Sequence, residues 1–142
     1  MNVRRKLAEL SLRRLVALVS EAEKIGMPVI AESIPGTWAR TIPWDAEHIA
    51  KCARICVELG ADAIKTMAPP DLADLPDVVA SIEAPMFVLG GPKKDSEDEA
   101  VQYAADVVAA GASGIAFGRN TWGAQDPTAM VRRLHAAVHG PA

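Results

Sequence analysis

Three short turns constrain the fold of this chain more than any other feature. Leu59-Gly60-Ala61, Glu83-Ala84-Pro85 and Ala110-Gly111-Ala112 each close a stretch of helical periodicity and each introduce a short apolar run. The runs are Ala61–Met67 (ADAIKTM), Pro85–Leu89 (PMFVL) and Ser113–Phe117 (SGIAF); Met27–Ser33 (MPVIAES), bounded by Gly and Pro, stands ahead of them. Their spacing of roughly 25–35 residues is the length of one βαβ unit. Strands alternating with helices in this way make a parallel sheet covered by helices. The runs are apolar at successive positions, as parallel strands buried on both faces require.

The helices carry their own signals. Leu7, Leu10, Leu15, Leu18, Val19, Ala22 and Ile25 recur at helical spacing, and Gly26 closes that run. A second helix is expected over Asp45–Leu59, with Asp45 as N-cap and Gly60 as its stop. A third lies near Asp71–Ile82, with Pro76 as an interruption, and a fourth over Ser96–Ala110 with acidic residues in its first turn. The last begins at Asp126-Pro127 and runs to about Val138. The organisation expected is one domain, residues 1–142: a helix over 1–25, then four β/α units. Two wrappings suit it, an open doubly wound sheet or a barrel. No G-x-G-x-x-G follows the first strand, which removes support for a dinucleotide-binding sheet. Both wrappings place chemistry at the carboxyl ends of the strands.

Composition excludes several partners. The chain has 142 residues, half of them apolar, and a net charge of −3 with few aromatics. Neither a basic stripe nor a base-stacking surface is present, so nucleic acid is not expected as a partner. Arg4, Arg5, Lys6, Glu9, Arg13 and Arg14 break up any signal-peptide core, and no run of apolar residues is long enough to span a bilayer. Cys52 and Cys56, the only cysteines, make no disulfide framework. A cytoplasmic protein without membrane contact is expected.

Lys65 is the most informative residue. Strand alternation puts Ala63 and Lys65 on one face and Ile64 and Thr66 on the other, so if Ile64 packs against helices, Lys65 points into the barrel or cleft. A buried lysine is costly unless it is paired or neutral, and a neutral amine can attack a carbonyl to form an imine. The plainer alternative is a strand-end ammonium that reaches water or pairs with a carboxylate such as Asp62. Glu32, at the end of the first strand, can serve as acid or base, hydrogen-bond substrate hydroxyls, or simply partner Lys65. Gly90-Gly91-Pro92 and Gly118-Arg119-Asn120 each directly follow a strand. Consecutive glycine loops of this kind hold phosphate through backbone N–H groups, with Arg119 adding charge-assisted bonds and Thr121–Gln125 a short helix. Ordinary turn chemistry is the alternative. Trp38, Arg40 and Trp44, in or beside the loop from Pro35 to Pro43, are candidates to cover a substrate or line a subunit contact. His48, Cys52 and Cys56 recur every four residues, but the cysteines share an apolar stripe and no fourth ligand is evident, so no metal site is assigned. His135 and His139 repeat that spacing with the same reading.

At Gly60-Ala61-Asp62-Ala63-Ile64-Lys65-Thr66, Leu89-Gly90-Gly91-Pro92-Lys93 and Gly111 to Asn120 (GASGIAFGRN), the sequence resembles the class I, Schiff-base aldolases of the archaeal-type fructose-bisphosphate aldolase group, barrels related to deoxyribose-phosphate aldolase. The resemblance runs from about Gly26 to the C-terminus. It implies the C-terminal half of a TIM (β/α)8 barrel, four parallel strands alternating with helices, with Lys65 as the imine-forming lysine on the sixth barrel strand. It further implies phosphate binding by Gly90, Gly91, Gly118 and Arg119, a phosphorylated sugar or small carbonyl substrate, and no metal or organic cofactor. Asp126-Pro127 and Met130 fall in the helix that closes such barrels. Two departures stand out. Where relatives carry a tyrosine proton donor after the fifth strand, this chain has Ala31-Glu32-Ser33-Ile34-Pro35-Gly36. The first four strands of the family are also absent, whereas a full barrel takes about 250 residues. Self-association into a homo-oligomer, or a partner that supplies the missing half, is therefore expected. The alternatives are a catalytically impaired phosphosugar-binding half-barrel and an open four-stranded layer.

Overall fold

The computed structural model describes residues 3–36 and 44–140. Helix α1 (Val3–Glu23) leads into β1 (Ile30–Glu32), α2 (Ala46–Glu58), β2 (Ala63–Thr66), a 3-10 turn at Leu72–Asp74, α3 (Leu75–Ile82) and β3 (Met86–Leu89). Then follow α4 (Glu97–Ala109), β4 (Gly114–Ala116), the single-turn α5 (Arg119–Trp122) and α6 (Pro127–His139). The strands form one parallel sheet in the order β1-β2-β3-β4. A doubly wound sheet reverses direction at a switch point, whereas chain-order neighbours are the arc of a barrel. The barrel wrapping is the one adopted.

Local chemistry explains the boundaries. Asp45 caps α2 by accepting the His48 N–H at 2.9 Å, and that bond, with the His48 ring beside it, holds its carboxyl below the usual carboxylate range. Ser96 caps α4 through the Glu99 N–H at 3.1 Å, and Asp126 caps α6 through the Ala129 N–H at 3.0 Å. The turns that end α2 and α4 need a left-handed residue, and Gly60 (φ +97) and Gly111 (φ +104) supply it. Glu83 does the same job after α3 at φ 54. Pro76 does not interrupt a longer helix: it lies in the first turn of α3, where its missing N–H costs nothing. The residues before it form the separate 3-10 turn, with Asp71 accepting the Ala73 N–H.

The sheet has two unlike faces. Ile64, Met86 and Val88 are fully buried against Ile49 and Ala53 of α2, Leu75, Val78 and Ile82 of α3, and Val107 of α4. A second cluster joins Ala100 and Ala104 of α4 to Met130 and Leu134 of α6. On the opposite face Ile30 is 58% exposed, and Glu32, Lys65 and Phe87 reach the surface in part. That face is the concave inside of the arc. No helix among the described residues is long and apolar enough to cross a membrane.

Candidate active site

Three strands bring the first group together. The register aligns Glu32 of β1 with Lys65 of β2, and Lys65 with Phe87 of β3. Ile64 and Thr66 are buried on the helix side, which turns Lys65 to the inner face as alternation requires. Its Nζ lies 3.2 Å from Glu32 Oε1. Asp62 is not its partner: Asp62 Oδ2 accepts the Val29 N–H at 2.7 Å and ties the start of β2 to that of β1. Among the described residues the pair is not enclosed: 34% of the Lys65 side chain and 45% of Glu32 are exposed. The arc is open on its concave side, and no described residue lies opposite to exclude water.

The carboxyl ends of β1 and β2 are bolted beside this pair. Thr66, fully buried, donates from Oγ1 to the Ser33 carbonyl at 2.6 Å, and the Ser33 N–H donates to the Lys65 carbonyl at 2.9 Å. The two charged side chains therefore spring from backbone that is fixed in register.

The two glycine loops meet at the ends of β3 and β4. Arg119 Nη2 donates to the Gly91 carbonyl at 2.9 Å. Asn120, buried, donates to the carbonyls of Gly90 and Pro92 at 3.0 and 3.1 Å and accepts the Lys94 N–H at 2.7 Å. The four phosphate candidates differ in what surrounds them. A side chain at Gly90 would meet the Phe117 ring at 2.9 Å and Asn120 Nδ2 at 3.2 Å, and one at Gly118 would collide with the Trp122 indole. Glycine is thus needed for packing at Gly90, whereas at Gly118 the indole, 71% exposed, would have to swing aside. Gly91, at φ +64, has open space beside it, and the exposed Arg119 keeps donors in reserve. Gly90 lies three residues beyond Phe87, so the loops stand roughly 10 Å along the sheet from the level of Lys65. The short helix begins at Arg119 rather than Thr121, because the Gly118 carbonyl takes the N–H groups of Thr121 and Trp122.

The remaining described candidates have partners of their own. Trp44 donates from its indole N–H to the Pro35 carbonyl at 3.2 Å and pins one end of its loop to the other; Trp38 and Arg40 lie outside the described residues. His48 Nδ1 sits 2.7 Å from Asp45 Oδ1, while burial pushes the thiols of Cys52 and Cys56 up. Among the described residues no three His, Cys, Asp or Glu side chains converge as metal ligands. Asn120 is the residue that sequence reasoning passed over. It stands in the single turn of helix directly after Gly118, but its three partners lie 26 to 30 residues away and no local pattern announces them.

A parallel arc in chain order, with its polar groups gathered at the strand ends of the concave face, defines a (β/α)-barrel unit. The chain belongs to the DeoC/LacD family of aldolases, whose model matches residues 5–124. It is 33% identical over 125 residues to a 2-amino-4,5-dihydroxy-6-oxo-7-(phosphonooxy)heptanoate synthase of Streptomyces griseus, covering 87% of this chain and 46% of that protein. With a 3-hydroxy-5-phosphonooxypentane-2,4-dione thiolase of Salmonella typhimurium it shares 31% identity over 91% of its own length and 42% of the relative. An archaeal fructose 1,6-bisphosphate aldolase superposes with a TM-score of 0.82 at 32% identity, covering 92% of this chain and 52% of that structure. The chain spans about half the length of the relatives it matches.

Proposed function

We propose that this chain is the imine-forming half of a class I aldolase that makes or breaks a carbon–carbon bond in a phosphorylated ketose or related carbonyl compound. The observation that carries the reading is the Lys65–Glu32 pair, 3.2 Å apart on the concave face of a family barrel unit. A structure similar to this chain was solved with its catalytic lysine covalently bound to a carbinolamine intermediate, which supports assigning the nucleophile to the strand lysine. In the proposed sequence the Lys65 amine adds to the carbonyl carbon and passes one of its protons to the oxygen, giving a carbinolamine; a second proton, from an acid, lets that oxygen leave as water and the nitrogen lone pair forms the iminium. A base then takes the proton of the hydroxyl beside the scissile bond; that oxygen becomes the carbonyl of a departing aldehyde, and the electron pair of the broken carbon–carbon bond moves into the iminium to give an enamine. Protonation of the enamine and hydrolysis of the imine release product and restore the amine. Glu32, 3.2 Å from the amine, is assigned to give and take these protons. Gly91 and Arg119 are assigned to the phosphate, with Gly90 and Gly118 shaping the loops that present them.

The test is reductive trapping. Borohydride added with dihydroxyacetone phosphate should leave a mass adduct on Lys65, absent from Lys65→Met. A peptide map with no adduct on the wild-type chain, or with the same adduct on the variant, refutes the assignment. The open concave face favours one second reading, a half-barrel that binds phosphosugar without turning it over; phosphosugar binding undiminished in Lys65→Met, with no trapped adduct in either protein, would establish it.

A further inference from the structure

The turn from Gly90 to Lys94 is tied down by one buried side chain. Asn120, 4% exposed, makes three hydrogen bonds, every one to the backbone of that turn. Its Nδ2 donates to the Gly90 carbonyl at 3.0 Å and to the Pro92 carbonyl at 3.1 Å, and its Oδ1 accepts the Lys94 N–H at 2.7 Å. A carboxamide carries two N–H donors and an acceptor oxygen, which matches two carbonyls and an N–H; a carboxylate of the same shape does not. Turned over, the amide would set oxygen against two carbonyls and nitrogen against an N–H, so the contacts together fix its orientation. Arg119 takes the carbonyl between them, that of Gly91, at 2.9 Å.

These bonds decide which way the peptide groups of the turn face. No peptide bond among the described residues is cis, and in a planar trans peptide the N–H points opposite to the C=O. Drawing the Gly90 carbonyl toward Asn120 therefore turns the Gly91 N–H away from it. Drawing in the Pro92 carbonyl turns the Lys93 N–H away in the same manner. Neither N–H makes a hydrogen bond among the described residues. The turn has its oxygens spent on Asn120 and Arg119 and two donors left over, which is the polarity an anion needs. With the same peptides turned over, the turn would present carbonyl oxygens and repel it.

We propose that Asn120 is the positioning residue of the phosphate loop: by holding the carbonyls of Gly90 and Pro92 it aims the N–H groups of Gly91 and Lys93 at the anion, without touching the anion itself. The proposal rests on the assignment of phosphate to Gly91 and Arg119, and it adds the Lys93 N–H to that set. Asn120→Asp is the informative change. It keeps the shape of the side chain and the acceptor for Lys94, but it sets a carboxylate oxygen against two carbonyls, a repulsion the turn relieves by turning those peptides over.

The test titrates the full chain with inorganic phosphate while the amide resonances of Gly91 and Lys93 are followed, with circular dichroism as the check on folding. Wild type should show saturable shifts at both amides. Asn120→Asp should weaken the affinity by about tenfold or more, as expected when two donors are misaligned. Asn120→Ala, which removes the amide without adding charge, should weaken it by less, and it carries the comparison if the aspartate variant does not fold. Borohydride trapping supplies a readout that a merely structural role would not move: the preference for dihydroxyacetone phosphate over dihydroxyacetone should shrink by the same factor as the phosphate affinity. Wild-type affinity in the folded variants, or equal slowing with both ketones, would overturn the proposal and leave the phosphate assignment standing. So would a wild-type chain in which phosphate shifts the Gly91 amide and leaves that of Lys93 unmoved. A Gly91 amide that does not respond to phosphate at all would overturn the assignment, and the proposal with it.

Discussion

Lys65 and Glu32 are kept together by their neighbours more than by their charges. An ion pair this exposed contributes about 0–1 kcal/mol, whereas Thr66 is fully buried and its bond to the Ser33 carbonyl fixes the two strand ends directly. The proposed function accordingly gives the carboxylate a part in the reaction and not in stability. On the proposed reading, Glu32→Gln keeps the size of the side chain and loses its ability to move a proton. Imine formation, followed as borohydride-trapped adduct against time, should slow by about 10²–10⁴-fold while Lys65 remains the site of attachment. A time course that matches wild type would leave Glu32 with no role beyond its ion pair.

Among the elements, the three turns that follow α2, α3 and α4 do one task with unequal residues. Two use glycine, and α3 uses Glu83 at φ 54. A left-handed conformation is costly for a residue with a Cβ, and glycine escapes that cost while losing more freedom on folding. Glu83→Gly should raise stability by about 0.5–1 kcal/mol, seen as a higher urea midpoint at unchanged slope. A lower midpoint would show that the glutamate side chain itself stabilises the turn. These turns, and the caps at Asp45, Ser96 and Asp126, were legible in the sequence because a cap is a contact between residues three apart. Strand positions were legible for the same local reason, though β1 pairs over Ile30–Glu32 only, less than the apolar run Met27–Ser33 suggests. The choice of Glu32 over Asp62 as the partner of Lys65 was not legible, since strand register decides it. Nor was the reason for Gly90 and Gly118, which depends on where the Phe117 and Trp122 rings come to rest.

For the whole molecule, the described residues form an arc of sheet with its core on the outer side. Among the described residues β1 pairs only with β2, and β4 only with β3. Amide exchange in the isolated chain should follow that asymmetry, slow along β2 and β3 and markedly faster on the outward-facing amides of β1 and β4. Uniform protection across all four strands would mean that both edges are already covered in solution. The arc also accounts for the exposure of Lys65: its own strands shield it, and no described residue stands across from it.

Gly114 of β4 leaves room that the neighbouring Phe87 ring uses. Gly114 is the register partner of Phe87, and the phenyl ring leans across it, its edge 3.1 Å from where a methyl group would stand. Phe87 is equally the partner of Lys65 on its other side. Adding that methyl with Gly114→Ala would lever the ring back over the lysine and shrink its doorway. Trapping yields with glyceraldehyde-sized and hexose-sized carbonyl compounds should then diverge, the larger falling first; equal losses for both would show that the ring yields in some other direction.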